Sequence, residues 1–366
     1  MHLMKIIGRY LGIYGVWFRF FEKNYLSDRV DIKGCLPELK KYNPDIGGTS
    51  IHEYSIKPNQ INVSVIVPAY NVQKYIGECL QSLLAQKTSY KYEIIVVNDG
   101  STDNTLKIIN SIKCDFLRVI DKPNRGISSA RNIGIKNAFG EYLIFCDADD
   151  YMAEKAIQLL IDTAKKTNAD IVEGSYRYVS ETGKLGKIVK HKRTEKKQID
   201  TFGVPWCKCI KKSLFQNICF PSDYWFEDSI IHQMILPMAR RIEWIDDVLY
   251  YYRTNSNGAT SVSAGNPKSV DSLWIAISLF NDRNKLKIPK SLDYYIYMLN
   301  MLRLGFHRTR LLPENIRKDF YYVYASFLSS NFDEYEFGMN DWDFTNMQRL
   351  VTNVNYDKYC DYFNRT

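Results

Sequence analysis

Three aspartates directly follow a short apolar run near the middle of the chain. The run Tyr142 to Cys146 ends in Asp147, Asp149 and Asp150. Carboxylates this close repel one another and raise one another's pKa unless a positive group lies among them. Magnesium usually takes one or two protein carboxylates and completes its shell with substrate phosphates. The D-x-D pair Asp147 and Asp149 therefore predicts a site for Mg²⁺ or Mn²⁺ that a diphosphate shares.

Four short β-rich apolar runs must position these acids, and helix-like segments separate them. The runs are residues 63–67, 93–97, 116–120 and 142–146, and the helix-like segments are 72–86, 103–112 and 128–139. Strands that alternate with helices predict βαβ units and a parallel sheet, and near-continuous apolar strands predict that both faces are covered. Ligands of such sheets bind beyond the carboxyl ends of the strands.

Polar residues collect at that edge of the predicted sheet. They are Pro68 to Asn71, Asn98 to Asp103, Asp121, and Asp147 to Asp150. One site at the edge explains their position, although Asp150 alone would also serve as the cap of the helix that follows. The chain has no G-x-G-x-x-G after its first strand and no G-x-x-x-x-G-K-[ST], so it lacks the motifs of classical dinucleotide binding and of P-loop chemistry.

The order and spacing of several blocks resemble a family 2 glycosyltransferase with the GT-A fold. The blocks are VSVIVPAYN, EIIVVNDGSTDNT, NRGISSARNIGI and YLIFCDADD, followed by PWCKCIKKSLF, WFEDSII and YYYRTNSNGATS. The resemblance implies an α/β, Rossmann-like fold with a mostly parallel central sheet over residues 61–265. Residues 1–60 and 266–366 lie outside the resemblance. Their own patterns predict an N-terminal amphipathic helix and arm in the first region and a Tyr-rich helical region in the second.

The resemblance also implies which residues hold a nucleotide sugar. By the family pattern Asp99 accepts from the base, usually uracil, and Arg131 lies near the base and first sugar. Asp147 contacts the ribose or the sugar, and Asp149 binds the metal under the diphosphate, with Asp147 as its second expected ligand. Lys208 would lie near the diphosphate or the acceptor, although WCKC stands here where many relatives have W-N-K-L. The expected set is Pro68, Ala69, Tyr70, Asn71, Asp99, Asn124, Gly126, Arg131, Asp147, Ala148 and Lys208.

The E-D block of the family implies the catalytic residues. Asp228 would act as the base that takes a proton from an acceptor hydroxyl, and Glu227 would hold the acceptor or position its neighbour. A single displacement of this kind inverts the configuration of the transferred sugar.

Several of these residues also have a purely structural interpretation. Asp99 would stabilise an Asx-turn in NDGS, Asp228 would cap an apolar helix at residues 230–238, and Arg131 would be a surface residue of a helix. Arg253 and the loop 256–261 would form either a lid over the diphosphate or an ordinary loop.

Charge and composition restrict the partners. The 366 residues carry a net charge of +8 and are 45% hydrophobic, which suits a globular protein with an anionic substrate or an anionic membrane surface. No helix-turn-helix, zinc-finger or aromatic RNA-binding signature is present, so we expect no nucleic-acid partner. Residues 3–23 predict a helix with a cationic stripe opposite an aromatic face, which would either lie in a membrane interface or pack on the catalytic domain. Residues 24–60 predict a linker with little regular structure.

The expected function is metal-dependent, inverting transfer of a sugar from a nucleotide sugar, UDP-linked by the family pattern, to a hydroxyl of a glycan or lipid-linked acceptor. The family implies a role in bacterial surface polysaccharide synthesis, in the cytoplasm or on the inner face of the cell membrane. Two alternatives stay open at this point: transfer to a polyprenyl phosphate, and a catalytically silent module that binds a sugar nucleotide or glycan.

Overall fold

A computed structural model describes residues 32–52, 55–191, 201–255, 263–332, 342–353 and 355–365. The amphipathic helix predicted at residues 3–23 and the loop 256–261 lie outside the described residues, and both predictions stay open.

Strands and helices alternate through the first half of the described chain, and helices alone follow residue 270. The strands are β1 (Ile61–Ala69), β2 (Tyr92–Asp99), β3 (Leu117–Lys122), β4 (Gly140–Phe145), β5 (Tyr151–Met152), β6 (Ile171–Val179), β7 (Leu185–Val189), β8 (Lys208–Lys211) and β9 (Ile242–Arg253). The α-helices with seven or more residues are α1 (Ile32–Tyr42), α2 (Ile76–Leu84), α3 (Thr105–Ser111), α4 (Gly126–Asn137), α5 (Ala156–Thr167), α6 (Asp271–Lys285), α7 (Leu292–Thr309), α8 (Glu314–Asn331), α9 (Trp342–Asn353) and α10 (Tyr356–Arg365).

The strands form one sheet in the order β3-β2-β1-β4-β8-β6-β9-β5, with β7 paired to β6. The four strands β3, β2, β1 and β4 are mutually parallel, and the antiparallel strand β8 joins them to the rest of the sheet. The α/β class and the four predicted strands are therefore confirmed. The three predicted helices are present with shifted bounds: α2 and α3 begin four and two residues later than predicted, α4 begins two residues earlier, and each ends one or two residues early.

Alternate residues of the parallel strands enter two different hydrophobic clusters. Val63, Val65 and Val67 of β1 belong to one cluster, whereas Ile66 belongs to the other. This alternation follows from the period of two in a strand, and it shows that both faces of the sheet are covered. The cluster that contains Ile66 continues without a break into the helices α6 to α10. The C-terminal region is helical as expected, and it shares its core with the sheet.

The arm before β1 is more ordered than its composition indicated. The helix α1 spans Ile32–Tyr42 and includes Pro37, so the prediction of little regular structure was wrong for this segment. The Nδ2 group of Asn43 donates to Asp271 at 2.6 Å, and the backbone N–H of Ser50 donates to Asp282 at 2.7 Å. Tertiary contacts with α6 therefore fix the conformation of the arm before β1, which local sequence propensity does not determine.

In the part of the chain that the structure describes, none of the helices combines the length and the apolar character that a membrane-spanning segment requires.

Candidate active site

The loops after β1 and β2 are joined by hydrogen bonds at the carboxyl edge of the sheet. The backbone N–H of Asn71 donates to the Ser101 hydroxyl at 3.0 Å, and the N–H of Thr102 donates to Asn71 Oδ1 at 2.8 Å. Asn71 adopts a left-handed conformation with φ of 50°, which asparagine tolerates better than most residues. The two predicted edge segments are thus one connected structure.

Asp99 joins this edge to the loop after β3. Its Oδ1 forms an ion pair with Lys122 and accepts a hydrogen bond from the N–H of Arg125 at 2.9 Å. Gly100 adopts a φ of +70°, and a Cβ atom at this position would lie 2.6 Å from the backbone nitrogen of Asn124. The contacts of Asp99 connect separate loops, which an Asx-turn within NDGS would not do.

The other expected donor-binding residues line the same edge. Pro68 and Ala69 form the buried end of β1, and Tyr70 is about half exposed at 49%. Asn124 and Gly126 are exposed immediately before and at the start of α4. The edge is thus open to solvent where the sequence predicts the nucleotide.

Arg131 is the positive group that lies among the acids. Its guanidinium donates to Asp147 at 2.9 Å and to Glu227 at 2.6 Å, and its side chain is only 3% exposed. The interpretation of Arg131 as a surface residue was therefore wrong. Although burial works to lower the pKa of Arg131, the carboxylates of Asp147 and Glu227 raise it above its ordinary value. A permanent cation thus joins the D-x-D segment to the E-D block.

Asp150 has a structural role, but it does not cap a helix. Its carboxylate is buried and accepts hydrogen bonds from the Tyr250 hydroxyl at 2.8 Å and from the N–H of Arg253 at 2.7 Å. The next helix, α5, begins only at Ala156. Tyr250 also accepts a hydrogen bond from the backbone N–H of Asp147 at 3.0 Å. Asp150 therefore fixes the backbone that presents Asp147 and Asp149.

The two carboxylates Asp147 and Asp149 fit a divalent cation that arrives with its own phosphate ligands. Burial raises the pKa of Asp149, and the negative charge of Asp147 raises it further. A cation would relieve this repulsion. Among the described residues, no group of three or more histidine, cysteine or acidic side chains forms a complete cage for a metal.

Glu227 and Asp228 lie in a turn that leads into a short helical segment, Ile231–Ile235. The backbone N–H of Ile231 donates to the carbonyl of Asp228 at 2.9 Å, and no side chain caps the segment, so the capping role predicted for Asp228 was wrong. Burial raises the pKa of Asp228, and Arg308 works against this shift. Burial likewise raises the pKa of Glu227, against the effect of Arg131. The block thus places two partly buried carboxyl groups near the guanidinium of Arg131.

The structure places Lys208 away from any open part of the site. Its ammonium group is fully buried, contacts Glu173 at 2.6 Å and donates to the backbone carbonyls of Phe202, Val204 and Trp206. These partners leave no exposed ammonium group for a diphosphate. The expected position of Lys208 near the diphosphate or the acceptor is therefore wrong: Lys208 stabilises the turn before β8.

Arg253, the last residue of β9, connects this strand to two other segments of the chain. It donates to the backbone carbonyl of Asp149 at 2.9 Å and forms an ion pair with Glu78. Its guanidinium carbon lies 5.0 Å from the ring centroid of Tyr75. Arg253 thus stabilises the backbone of the D-x-D segment through its hydrogen bond to the carbonyl of Asp149.

One residue beside the site was not predicted from the sequence. Arg308, in the last turn of α7, places its guanidinium carbon 3.6 Å from the ring centroid of Phe226. Its charge also acts on Asp228. Arg308 stands about 80 positions after the E-D block, in a helical region without a recognisable motif, so no local signal could have identified it.

Comparisons with known proteins agree with this arrangement. The sequence profile described as Glycosyl transferase family 2 matches residues 64–226. The uncharacterized glycosyltransferase EpsJ of Bacillus subtilis is 37% identical over 55% of this chain and 63% of its own length. The glycosyltransferase GlyG of Streptococcus pneumoniae is 34% identical over 53% of this chain and 71% of its own length.

Among solved structures, residues 1–349 of TarS from S. aureus in complex with UDP-GlcNAc align with a TM-score of 0.49 and 22% identity. The alignment covers 76% of this chain and 95% of that one. A likeness at this level supports no statement about ligands. The profile and the match over most of GlyG carry the assignment. This chain belongs to glycosyltransferase family 2.

Proposed function

We propose that the protein transfers a sugar, with inversion, from a UDP-sugar to a hydroxyl group of an acceptor in a divalent-cation-dependent reaction. The observation that carries this proposal is the cluster of Asp147, Glu227 and Asp228 around Arg131 at the carboxyl edge of a parallel sheet. Ligands of open α/β sheets bind at this edge. Family membership makes a nucleotide sugar the expected ligand.

The donor binds along the edge formed by the loops after β1, β2 and β3. Asp99, fixed by Lys122 and Arg125, lies where the base would bind, and the exposed ring of Tyr70 lies on the neighbouring loop. Asp147 and Asp149 would hold Mg²⁺ or Mn²⁺, which when bound offsets the negative charge of the leaving diphosphate.

Asp228 acts as the general base in this proposal. It takes the proton from the acceptor hydroxyl as the oxygen attacks the anomeric carbon from the side opposite the leaving diphosphate. Assistance of this kind contributes about 10²–10⁴-fold to the rate. Burial raises the pKa of Asp228, which makes it a stronger base than an exposed aspartate, and the charges of Arg308 and Arg131 limit that rise. Glu227, paired with Arg131, orients the block.

The acceptor is a glycan or a lipid-linked saccharide in bacterial surface polysaccharide synthesis, which places the reaction in the cytoplasm or at the inner face of the membrane. This part of the proposal rests on the family resemblance and on the bacterial relatives. The membrane contact assigned to residues 3–23 lies outside the described residues and belongs to the proposal alone.

Substitution of the base tests the mechanism. We expect Asp228→Asn to slow UDP release from UDP-sugars by at least about 100-fold, while calorimetry shows unchanged donor affinity. Thermal shift with UDP-glucose, UDP-galactose and UDP-N-acetylglucosamine first identifies the donor. Asp115→Asn, an exposed aspartate in the loop before β3, is the matched control and should behave like the wild type. An Asp228→Asn variant with wild-type turnover would refute the assignment of the base.

The cation is tested separately. Asp149→Ala should lose the part of UDP affinity that depends on Mn²⁺, because a remaining single carboxylate holds the cation poorly. Calorimetry with and without Mn²⁺ measures this difference. Equal Mn²⁺-dependent binding in the variant and the wild type would remove Asp149 from the metal site.

A further inference from the structure

The C-terminal helix α7 contacts the E-D block on both sides of the two acids. Before them, the Arg308 guanidinium stacks on the ring of Phe226 at 3.6 Å. After them, the Tyr297 ring stacks on His232, with centroids 4.6 Å apart. Tyr297 and Arg308 lie about three turns apart and therefore on the same face of α7. One face of α7 thus contacts the chain both before and after Glu227 and Asp228.

The helix α6 adds a third contact to the same block. The carboxylate of Asp271, its first residue, accepts a hydrogen bond from the backbone N–H of Trp225 at 2.8 Å. Asp271 also accepts from the side chain of Asn43 at 2.6 Å. The C-terminal region therefore fixes the backbone and the side chains around the two acids.

The backbone at Phe226 requires such support. Phe226 adopts a φ of 66°, a left-handed conformation that is costly for a bulky side chain. Strain of this kind persists only where surrounding contacts determine it, and it occurs often at functional sites. A guanidinium over an aromatic face is attractive, more so when water is excluded. The stack with Arg308 is thus positioned to stabilise the conformation that directs Glu227 and Asp228 into the site.

Arg308 also retains an unused donor. Its Nη1 atom is buried and has no hydrogen-bond partner among the described residues. A buried cation without a complete set of partners is costly. Stacking on Phe226 and the nearby charge of Asp228 are the compensations that the structure offers.

We infer that Arg308 is a positioning residue for the reaction: by stacking on Phe226 it holds that residue in its left-handed conformation and keeps the following Asp228 in place as the base. The inference rests on the proposed function and assigns to the C-terminal helical region a direct part in building the active site. In this protein the region would therefore be required for turnover as well as for stability.

The pKa of Asp228 depends on the charged and titratable groups around it, so it responds to the charge of Arg308 in a way that a loss of packing alone would not reproduce. These groups are Arg308, Arg131, Asp147, Glu227 and Tyr297. Arg308 favours the carboxylate form of Asp228, so its removal raises the pKa of that group. Since the base must be ionised, the acidic limb of the kcat profile should then move to higher pH.

The experiment compares Arg308→Gln, Arg308→Lys and Arg303→Gln in the full chain. Arg303 is an exposed arginine of the same helix and provides the matched control. With the UDP-sugar that raises the melting temperature most, Arg308→Gln should lower kcat for UDP release by about 10- to 100-fold, a loss typical of a misplaced catalytic group. Its donor affinity by calorimetry should stay unchanged. Arg308→Lys should restore part of the rate and most of the pH profile, because it keeps the charge but loses the planar stack.

A second variant keeps the test decisive if Arg308→Gln folds poorly. Phe226→Leu removes the ring and leaves the charge, so it should lower kcat without a shift of the acidic limb. The double variant should lose less than the product of the two single losses, because both remove the same contact.

The outcomes separate this inference from the proposed function. If the wild type is active and Arg308→Gln or Phe226→Leu matches it in kcat and pH profile, the role of Arg308 is refuted and the proposed function stands. If Asp228→Asn is inactive and Arg308→Gln shows the expected fall and shift, both are supported. A wild-type protein that binds and cleaves none of the UDP-sugars would overturn both.

Discussion

At the scale of single residues, charge pairing decides which acids and bases are available for chemistry. Arg131 is committed to Asp147 and Glu227, and Lys208 is committed to Glu173. Both cations are buried. Removal of Arg131 would leave two carboxylates without their cation, and removal of Lys208 would leave Glu173 with only the His191 imidazole beside it. The two pairs differ in their place: the first borders the open edge of the sheet, and the second lies in the interior behind it.

Arg131→Met should destabilise the protein strongly. Removal of one partner from a buried ion pair typically costs about 3–5 kcal/mol, because the remaining charges stay buried. Denaturant unfolding measures the loss. Lys87→Met is the control: its pair with Glu154 is about two-thirds exposed, at 64% and 63%, so the free energy of unfolding should hardly change. Equal stability of the two variants would contradict the account of Arg131.

Lys208→Met should affect stability and not donor binding. The loss should again be about 3–5 kcal/mol at neutral pH, since Glu173 would be left buried with only the His191 imidazole, 3.1 Å away, beside it. Burial raises the pKa of Glu173 to about 7 even with Lys208 in place. The folded protein thus binds this proton more tightly than the unfolded chain, and a neutral Glu173 needs no cation. The loss should therefore shrink as the pH falls below that value.

Two measurements check the interpretation of Lys208. Unfolding curves across the pH range should show the converging stabilities of wild type and variant at acidic pH. Lys211→Met, on the same strand and 23% exposed, should cost less at every pH. If Lys208→Met instead kept its stability and lost its affinity for UDP, the diphosphate role implied by the family pattern would have to be restored.

At the scale of elements, close contacts between loops shape the donor edge. Gly100 and Gly183 both have a left-handed backbone, with φ of +70° and +83°. A Cβ atom at Gly100 would collide with the backbone of Asn124, whereas one at Gly183 would meet nothing within 4 Å. Alanine at both positions would strain the backbone, but only alanine at Gly100 would also collide with a neighbouring loop. Comparing the two variants therefore separates the effect of strain from the effect of the collision.

Gly100→Ala should weaken donor binding, because the loop that carries Asn124 must move away from Asp99. Gly183→Ala suffers the same backbone strain, about 1 kcal/mol, in a hairpin turn distant in sequence from the edge residues, and should keep its donor affinity. Calorimetry with UDP and Mn²⁺ measures both. Unchanged affinity in Gly100→Ala would show that this loop does not contribute to the nucleotide site.

The elements of the sheet were predictable from the sequence because apolar runs such as residues 63–67 and 142–146 report burial directly. The polar edge was also predictable, because its residues come directly after the last apolar residue of each run. The partners of Arg131 were not, because its ion pairs join three segments that only the folded chain brings together. Lys208 was misjudged because a family motif gives a residue's place but not the buried acid that it meets. Helix α1 was missed because its stability comes from tertiary packing.

At the scale of the whole molecule, one hydrophobic cluster runs from the sheet through the C-terminal helices. The helical region after residue 266 is therefore packed as part of the catalytic body. Its contacts with Trp225, Phe226 and His232 connect the packing of that region to the geometry of Asp228. A substitution in the helical region can thus change the position of Asp228, and with it the reaction rate, although the substituted residue contacts no substrate.

The position of the donor and its cation tests the proposed function most directly. A crystal of the full chain soaked with UDP and Mn²⁺ would show the manganese by its anomalous scattering. We expect an anomalous peak beside Asp147 and Asp149, in contact with the diphosphate, and a uracil base at the edge near Asp99. Manganese and UDP bound at another face of the protein, or UDP bound at this edge without manganese, would contradict it.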